Sequence, residues 1–291
     1  MIFDFLGYGF MQRAIVTGAV AAVCCSMLGL YLVLKRYSLF GDALSHTAFT
    51  GIAIGYVLNV YPVWTATIVS VVSAIGVTRL RKSTKISGDS AIALMFASGL
   101  GLGVILVSAA HGFTIDLYSF LFGSVLLTSY ADLATIIVMS SIVIGILVAL
   151  RKPLLHFTFD EEQAKVNGVP VERLTYLFII LAAVTVIVTM KLVGILLISA
   201  LIVLPNITSI TVGRGFRNTM LLSISLGLSA TVGGIILSYP LNWAPSGVIV
   251  MLLVAMFLGA LAAKHAGLLS KGTGAETMQK EADGSSIHAA H

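Results

Sequence analysis

Charge is what this sequence has least of: only 10% of its 291 residues are Asp, Glu, Lys or Arg, where a soluble domain carries roughly a quarter. That scarcity excludes an ordinary cytosolic enzyme, because a soluble fold needs a polar skin over its core. Cysteine is nearly missing too. Cys24 and Cys25 are neighbours in an apolar run, so no disulfide framework follows and both read as small apolar filler. There is no GxxxxGK[ST] phosphate loop, which excludes ATP hydrolysis by this chain through the usual P-loop route, and no HExxH or GxSxG. A repeat of about 20–50 residues is absent as well.

What is present is apolar. Hydrophobic residues make up 58% of the chain and the mean hydropathy is +1.04, so the solvent is a bilayer and the fold class is an all-α polytopic membrane protein. A crossing helix needs about 20 apolar residues. The uncharged stretches place spans at 14–34, two between Asp42 and Arg79 that break near Asn59, Tyr61 and Pro62, then 90–110 and 133–150. A pair at 174–190 and 192–212 is divided by Lys191, and the run 220–263 is divided around Tyr239, Pro240 and Pro245. About eight or nine transmembrane helices are expected. The segment 117–128 is apolar but too short to cross and reads as a re-entrant or interfacial half-helix.

The net charge of +5 comes from 17 Lys and Arg against 12 Asp and Glu. These basic residues sit in loops, so they report topology and imply no nucleic acid as partner. With alternating crossings one side receives Lys35, Arg36, Arg79, Arg151, Lys152, Lys165, Arg214, Lys264 and their neighbours, and the other only Arg13 and Lys191. The first side is therefore expected to be cytoplasmic, with the N-terminus outside and the C-terminus inside a cell membrane. The first apolar segment reads as a retained span and not as a signal peptide. One membrane domain is expected over 1–271, followed by a polar, disordered tail over 272–291 whose His288 and His291 read as incidental.

An ionisable residue inside a span is costly and marks function by default. Asp42 and His46, in LFGDALSHTAFTG, are the clearest. Their i,i+4 spacing stacks both on one helix face, and carboxylate plus imidazole suits a divalent transition metal. A two-fold dimer facing across this helix would supply two of each, a four-coordinate set. The same residues also fit a purely structural role, with Asp42 capping the second span and Ser45 and His46 hydrogen-bonding a neighbouring helix. Other readings of the pair are a proton relay in a proton- or sodium-coupled carrier and, more remotely, an acid or base in an intramembrane enzyme. No second intramembrane Asp motif supports the last.

Asp89 with Ser90, and Asp132, read as helix caps. His111 and Asp116 lie in the external stretch AHGFTIDLYSFLFG, where Asp116 caps the half-helix or the two guide a cation toward the pore. On the cytoplasmic side, Asp160 followed by Gln163, with Gly168 and Pro170 beyond, has the pattern of a capping box and a stop. A two-turn helix from Asp160 to Asn167 is expected there. It suits docking on a soluble partner, or is an ordinary loop helix.

Four segments, in order, resemble the permease subunits of bacterial and archaeal zinc and manganese ATP-binding-cassette importers. They are LKRYSLFGDALSHTAFTGIAIG (34–55), DLYSFLFGSVL (116–126), FDEEQAKVNGVPV (159–171) and MKLVGILLISALIVLP (190–205). The chain departs from the family's usual pattern at Asn206–Ser209 and at Asn242–Pro245. The resemblance implies the vitamin-B12-importer type of permease fold, working as a homodimer. It also implies two cytoplasmic ATPase subunits that hold the ATP and an extracytoplasmic metal-binding protein. Asp42 and His46 match the pair that coordinates the ion. Asp160, Glu161, Glu162, Gln163, Ala164, Lys165, Val166, Asn167 and Gly168 match the coupling helix. No permanently bound cofactor is expected, and the cargo is Zn²⁺ or Mn²⁺, with zinc favoured by the affinity order.

Overall fold

A helix in a bilayer must satisfy its own backbone, and small residues let helices approach where lipid supplies no hydrophobic drive between them. The computed structural model describes residues 7–84, 86–110, 123, 130–213 and 215–266. Among these there are eleven helices and no strand: α1 (Gly9–Leu34), α2 (Phe40–Leu58), α3 (Pro62–Thr84), α4 (Gly88–Ala109), α5 (Tyr130–Ala149), α6 (Arg151–Phe159), α7 (Glu161–Val166), α8 (Val171–Val193), α9 (Ile195–Val212), α10 (Phe216–Leu241) and α11 (Pro245–His265).

Nine of them stand where the uncharged runs place spans, but six meet both length and apolarity for a crossing: α1, α3, α4, α8 up to Met190, α10 and α11. A seventh crossing arises if α5 and α6, bent by 72° at their junction, count as one broken span. Helix α2 is 19 residues long and lies outside the six, because Asp42, Ser45, His46, Thr47 and Thr50 dilute its apolar residues. Helix α9, Ile195–Val212, also lies outside the six.

Breaks follow local chemistry. Asn59 takes φ 54°, donates its N–H to the end of α2, and Pro62 opens α3. Asn242, at φ 52°, and Pro245 repeat the device between α10 and α11. Lys191 does not divide its pair: α8 runs on to Val193 and the break falls at Gly194, φ 80°, a backbone conformation that glycine adopts without strain. The cap of α4 is Ser87, whose Oγ accepts from the Ser90 N–H at 3.1 Å, while Asp89 sits in the first turn. Helix α5 begins at Tyr130, so Asp132 stands inside its first turn, and the Asp132 side chain lies outside the description. Helix α6 was expected as loop. The half-helix at 117–128, with His111 and Asp116, and the tail 272–291 lie outside the described residues.

The chain forms two compact units. One comprises Met1–Gly18, Leu39–Val143 and Thr175–Ser199; the other comprises Ala19–Ser38, Ile144–Leu174 and Ala200–His291. In the first, α2 packs against α3 and α4. Helix α3 turns Ala66, Ser70 and Ala74 inward and Trp64, Ile68 and Val72 outward, the reverse of a soluble helix and the pattern of a lipid-facing one. A methyl on Gly99 of α4 would lie 2.9 Å from the Thr47 backbone nitrogen, so the glycine is what lets α4 meet α2. In the second unit α10 packs on α11, and α6 on α7. Cys24 and Cys25 are buried and unbridged, as expected.

Candidate functional site

Helix α2 positions the acidic and imidazole groups one turn apart. Asp42 lies in its first turn, after an N-cap at Leu39 that uses no side chain, so Asp42 is not the cap of this helix. The Asp42 Oδ1 and His46 Nε2 are 3.8 Å apart, with side-chain exposures of 30% and 17%. Both are sheltered, yet each keeps an accessible face.

Two neighbouring helices hold the pair. From α9, the Ser199 hydroxyl donates to Asp42 Oδ1 at 2.7 Å, which fixes the carboxylate and leaves Oδ2 able to take another partner. From α4, the Phe96 ring meets the His46 imidazole edge-on, with centroids 4.5 Å apart and planes at 69°. The close approach at Gly99 brings Phe96 there, and the Thr50 hydroxyl adds a hydrogen bond to the Gly99 carbonyl. Ser45 turns back on its own helix, donating to the Gly41 carbonyl at 2.8 Å, and so does not bond a neighbour.

A carboxylate and an imidazole on one wall can bind a divalent ion at two of its coordination positions. Among the described residues no group of three His, Cys, Asp or Glu comes together, so further ligands must come from outside this set.

The cytoplasmic helix is built as its residues dictate. Asp160 caps α7, its Oδ1 accepting from the N–H groups of Glu162 and Gln163, both at 2.9 Å. Asn167 closes it by donating to the Gln163 carbonyl, and Gly168 follows at φ 77°. The helix spans Glu161–Val166, one residue shorter at each end than expected. Ala164 is buried, whereas Glu162, Gln163, Lys165, Val166, Asn167 and Gly168 are exposed. Val166 is 86% exposed, an uncovered apolar side chain in a polar surround. Glu161 pairs with Lys35, just beyond α1, at 2.5 Å.

Sequence reasoning missed Ser199, Phe96 and Lys35. Ser199 carried a weak signal, a hydroxyl within an apolar run. Lys35 was read for topology alone, and Phe96 carried no signal.

Comparison with known proteins places these features in a wider set. Residues 7–264 match the profile of the ABC 3 transport family. The chain is 32% identical to the manganese import system permease protein ScaB of Streptococcus parasanguinis, over 86% of this chain and 89% of that one. It is also 32% identical to the high-affinity zinc uptake system membrane protein ZnuB of Haemophilus influenzae, over 81% and 91%. Among solved structures, PsaBC from Streptococcus pneumoniae in complex with Fab is similar with a TM-score of 0.80 at 29% identity, covering 89% of this chain and 94% of that one.

Proposed function

Because the chain belongs to the ABC 3 transport family, we propose that it is the membrane permease of an importer that carries a divalent transition metal into the cytoplasm. The relatives' names supply manganese and zinc, and the donor set favours zinc over manganese. The observation that carries the reading is the sheltered Asp42–His46 pair, one turn apart and 3.8 Å between polar atoms, with Asp42 oriented by Ser199.

In this reading two copies of the chain, each with the vitamin-B12-importer type of permease fold and about eight or nine crossings, face each other across α2. They offer the ion two carboxylates and two imidazoles. An extracytoplasmic binding protein delivers the ion. Cytoplasmic ATPase subunits hold and hydrolyse the ATP, dock on the exposed face of α7, and drive alternation between outward and inward access. The C-terminus lies in the cytoplasm, the side that the distribution of basic residues favours. Affinity at the pair is modest, since the ion must leave as readily as it arrives. This chain catalyses no reaction of its own.

The test is uptake of zinc and manganese by a strain lacking its own importers, supplied with this permease, its ATPase and its binding protein. Wild type is expected to accumulate metal, with Asp42→Ala and His46→Ala reduced to background at matched expression. Variants that import as well as wild type would sink the assignment of the pair.

A further inference from the structure

The second unit holds a cavity of about 460 Å³ lined by both cationic and apolar side chains. Arg151, Lys152 and His156, from α6, and Arg217, the second residue of α10, supply cationic and hydrogen-bonding groups. Leu147 and Val148 stand one turn back along α5, and Met220 and Leu221 one turn on along α10. The charges therefore stand just beyond the end of α5 and at the start of α10, with apolar side chains about one turn away along each.

Arg151, Lys152 and Arg217 are exposed, and among the described residues no carboxylate pairs with them. Val148 and Leu221 are exposed too, by 53% and 58%. Gathered like charges repel unless an anion joins them. A soluble anion would answer the charges and leave the apolar wall bare. A lipid answers both, because its phosphate lies at the depth where apolar helices end and its chains run inward from there.

We propose that this cavity binds an anionic phospholipid, its phosphate held by Arg151, Lys152 and Arg217 and an acyl chain laid along Val148 and Leu221. His156 adds a further hydrogen-bonding group beside the phosphate. Guanidinium groups suit phosphate because they offer paired N–H donors. Binding here is separate from the Asp42–His46 pair and needs no knowledge of the cargo.

The experiment is native mass spectrometry of the full-length chain in mild detergent with equimolar phosphatidylglycerol and phosphatidylcholine. Wild type is expected to retain phosphatidylglycerol preferentially, and each of Arg151→Gln and Arg217→Gln to weaken that retention about fivefold. The pair Arg151→Lys and Arg217→Lys keeps the charges and is expected to keep most of the preference, which separates lost charge from lost folding. Equal retention of the two lipids by wild type would overturn the proposal, as would unchanged retention by the glutamine variants. Displacement by excess inorganic phosphate would assign the site to a soluble anion. Loss of the ATPase on co-purification of the glutamine variants, with lipid retention intact, would assign the surface to a protein interface. Retention is read without transport, so failure here leaves the import reading standing, and the reverse holds.

Discussion

Lys35 and Glu161 are 126 residues apart in sequence, yet the Lys35 ammonium lies 2.5 Å from Glu161 Oε1. The same ammonium sits 3.2 Å from the centroid of the Phe157 ring. The Lys35 side chain is 6% exposed and Glu161 39%, so the lysine has given up most of its water to hold the first turn of α7 against the end of α1. A short exposed helix gains a fixed position from this contact that its own two turns do not provide.

Glu161→Ala therefore removes the acid from a nearly buried ammonium and is expected to cost about 1–3 kcal/mol. Lys35→Met together with Glu161→Ala removes both charges and is expected to cost less than Glu161→Ala alone. Thermal unfolding of wild type, both single variants and the double variant forms the cycle that checks this. Additive losses would mean that the contact carries no coupling.

Ser199→Ala leaves Asp42 without the hydroxyl that orients it. Loss of an outer hydrogen bond to a ligand typically lowers metal affinity or activity about 10–100-fold, and uptake at limiting metal is expected to fall by about tenfold at the low end of that range. Ser199→Thr keeps the hydroxyl and is expected to retain most uptake. Import by Ser199→Ala at the wild-type rate would separate Ser199 from the ion path.

Metal ligation by His46 requires the neutral imidazole, whose ordinary pKa is about 6.5. Protons then compete with the ion, so the concentration of metal for half-maximal transport is expected to rise as pH falls from about 7 to about 5. His46→Gln is expected to transport poorly and without that slope. Transport by reconstituted vesicles at a series of pH values gives both profiles, and an identical slope in wild type and His46→Gln would exclude His46 as the titrating ligand.

Gly99→Ala sets a methyl 2.9 Å from the Thr47 nitrogen and 3.0 Å from the His46 carbonyl carbon. The helices must part to admit it, a form of overpacking that typically costs about 1–3 kcal/mol. Gly101→Ala, two residues on, meets nothing within 4 Å and is expected to be neutral or slightly stabilising, since alanine favours a helix over glycine. Melting temperatures of the two variants in one detergent decide between contact and mere composition.

Much of the fold was legible in the sequence, because uncharged length and helix-ending residues are local properties. The break at Asn59 and Pro62 could be read from the two residues that make it. The bend between α5 and α6 could not. Arg151, Lys152 and Pro153 look like the end of a helix, but a proline in a first turn is tolerated, since its missing N–H has no partner there in any case. For the same reason Lys191 misled: a single charge does not stop a helix, whereas Gly194 in a left-handed conformation does.

The sequence by itself determined that this chain lives in a bilayer, where most of its helices fall, and that Asp42 and His46 share a face. Each of these follows from composition or from a period of 3.6 residues. Only the tertiary structure decided what surrounds them. Ser199 reaches Asp42 across 157 residues, Phe96 reaches His46 because Gly99 lets two helices touch, and Lys35, just beyond the end of α1, finds Glu161 across 126 residues. No local pattern encodes those meetings. They exist because packed helices bring distant side chains within hydrogen-bonding distance, and only a folded chain fixes which ones.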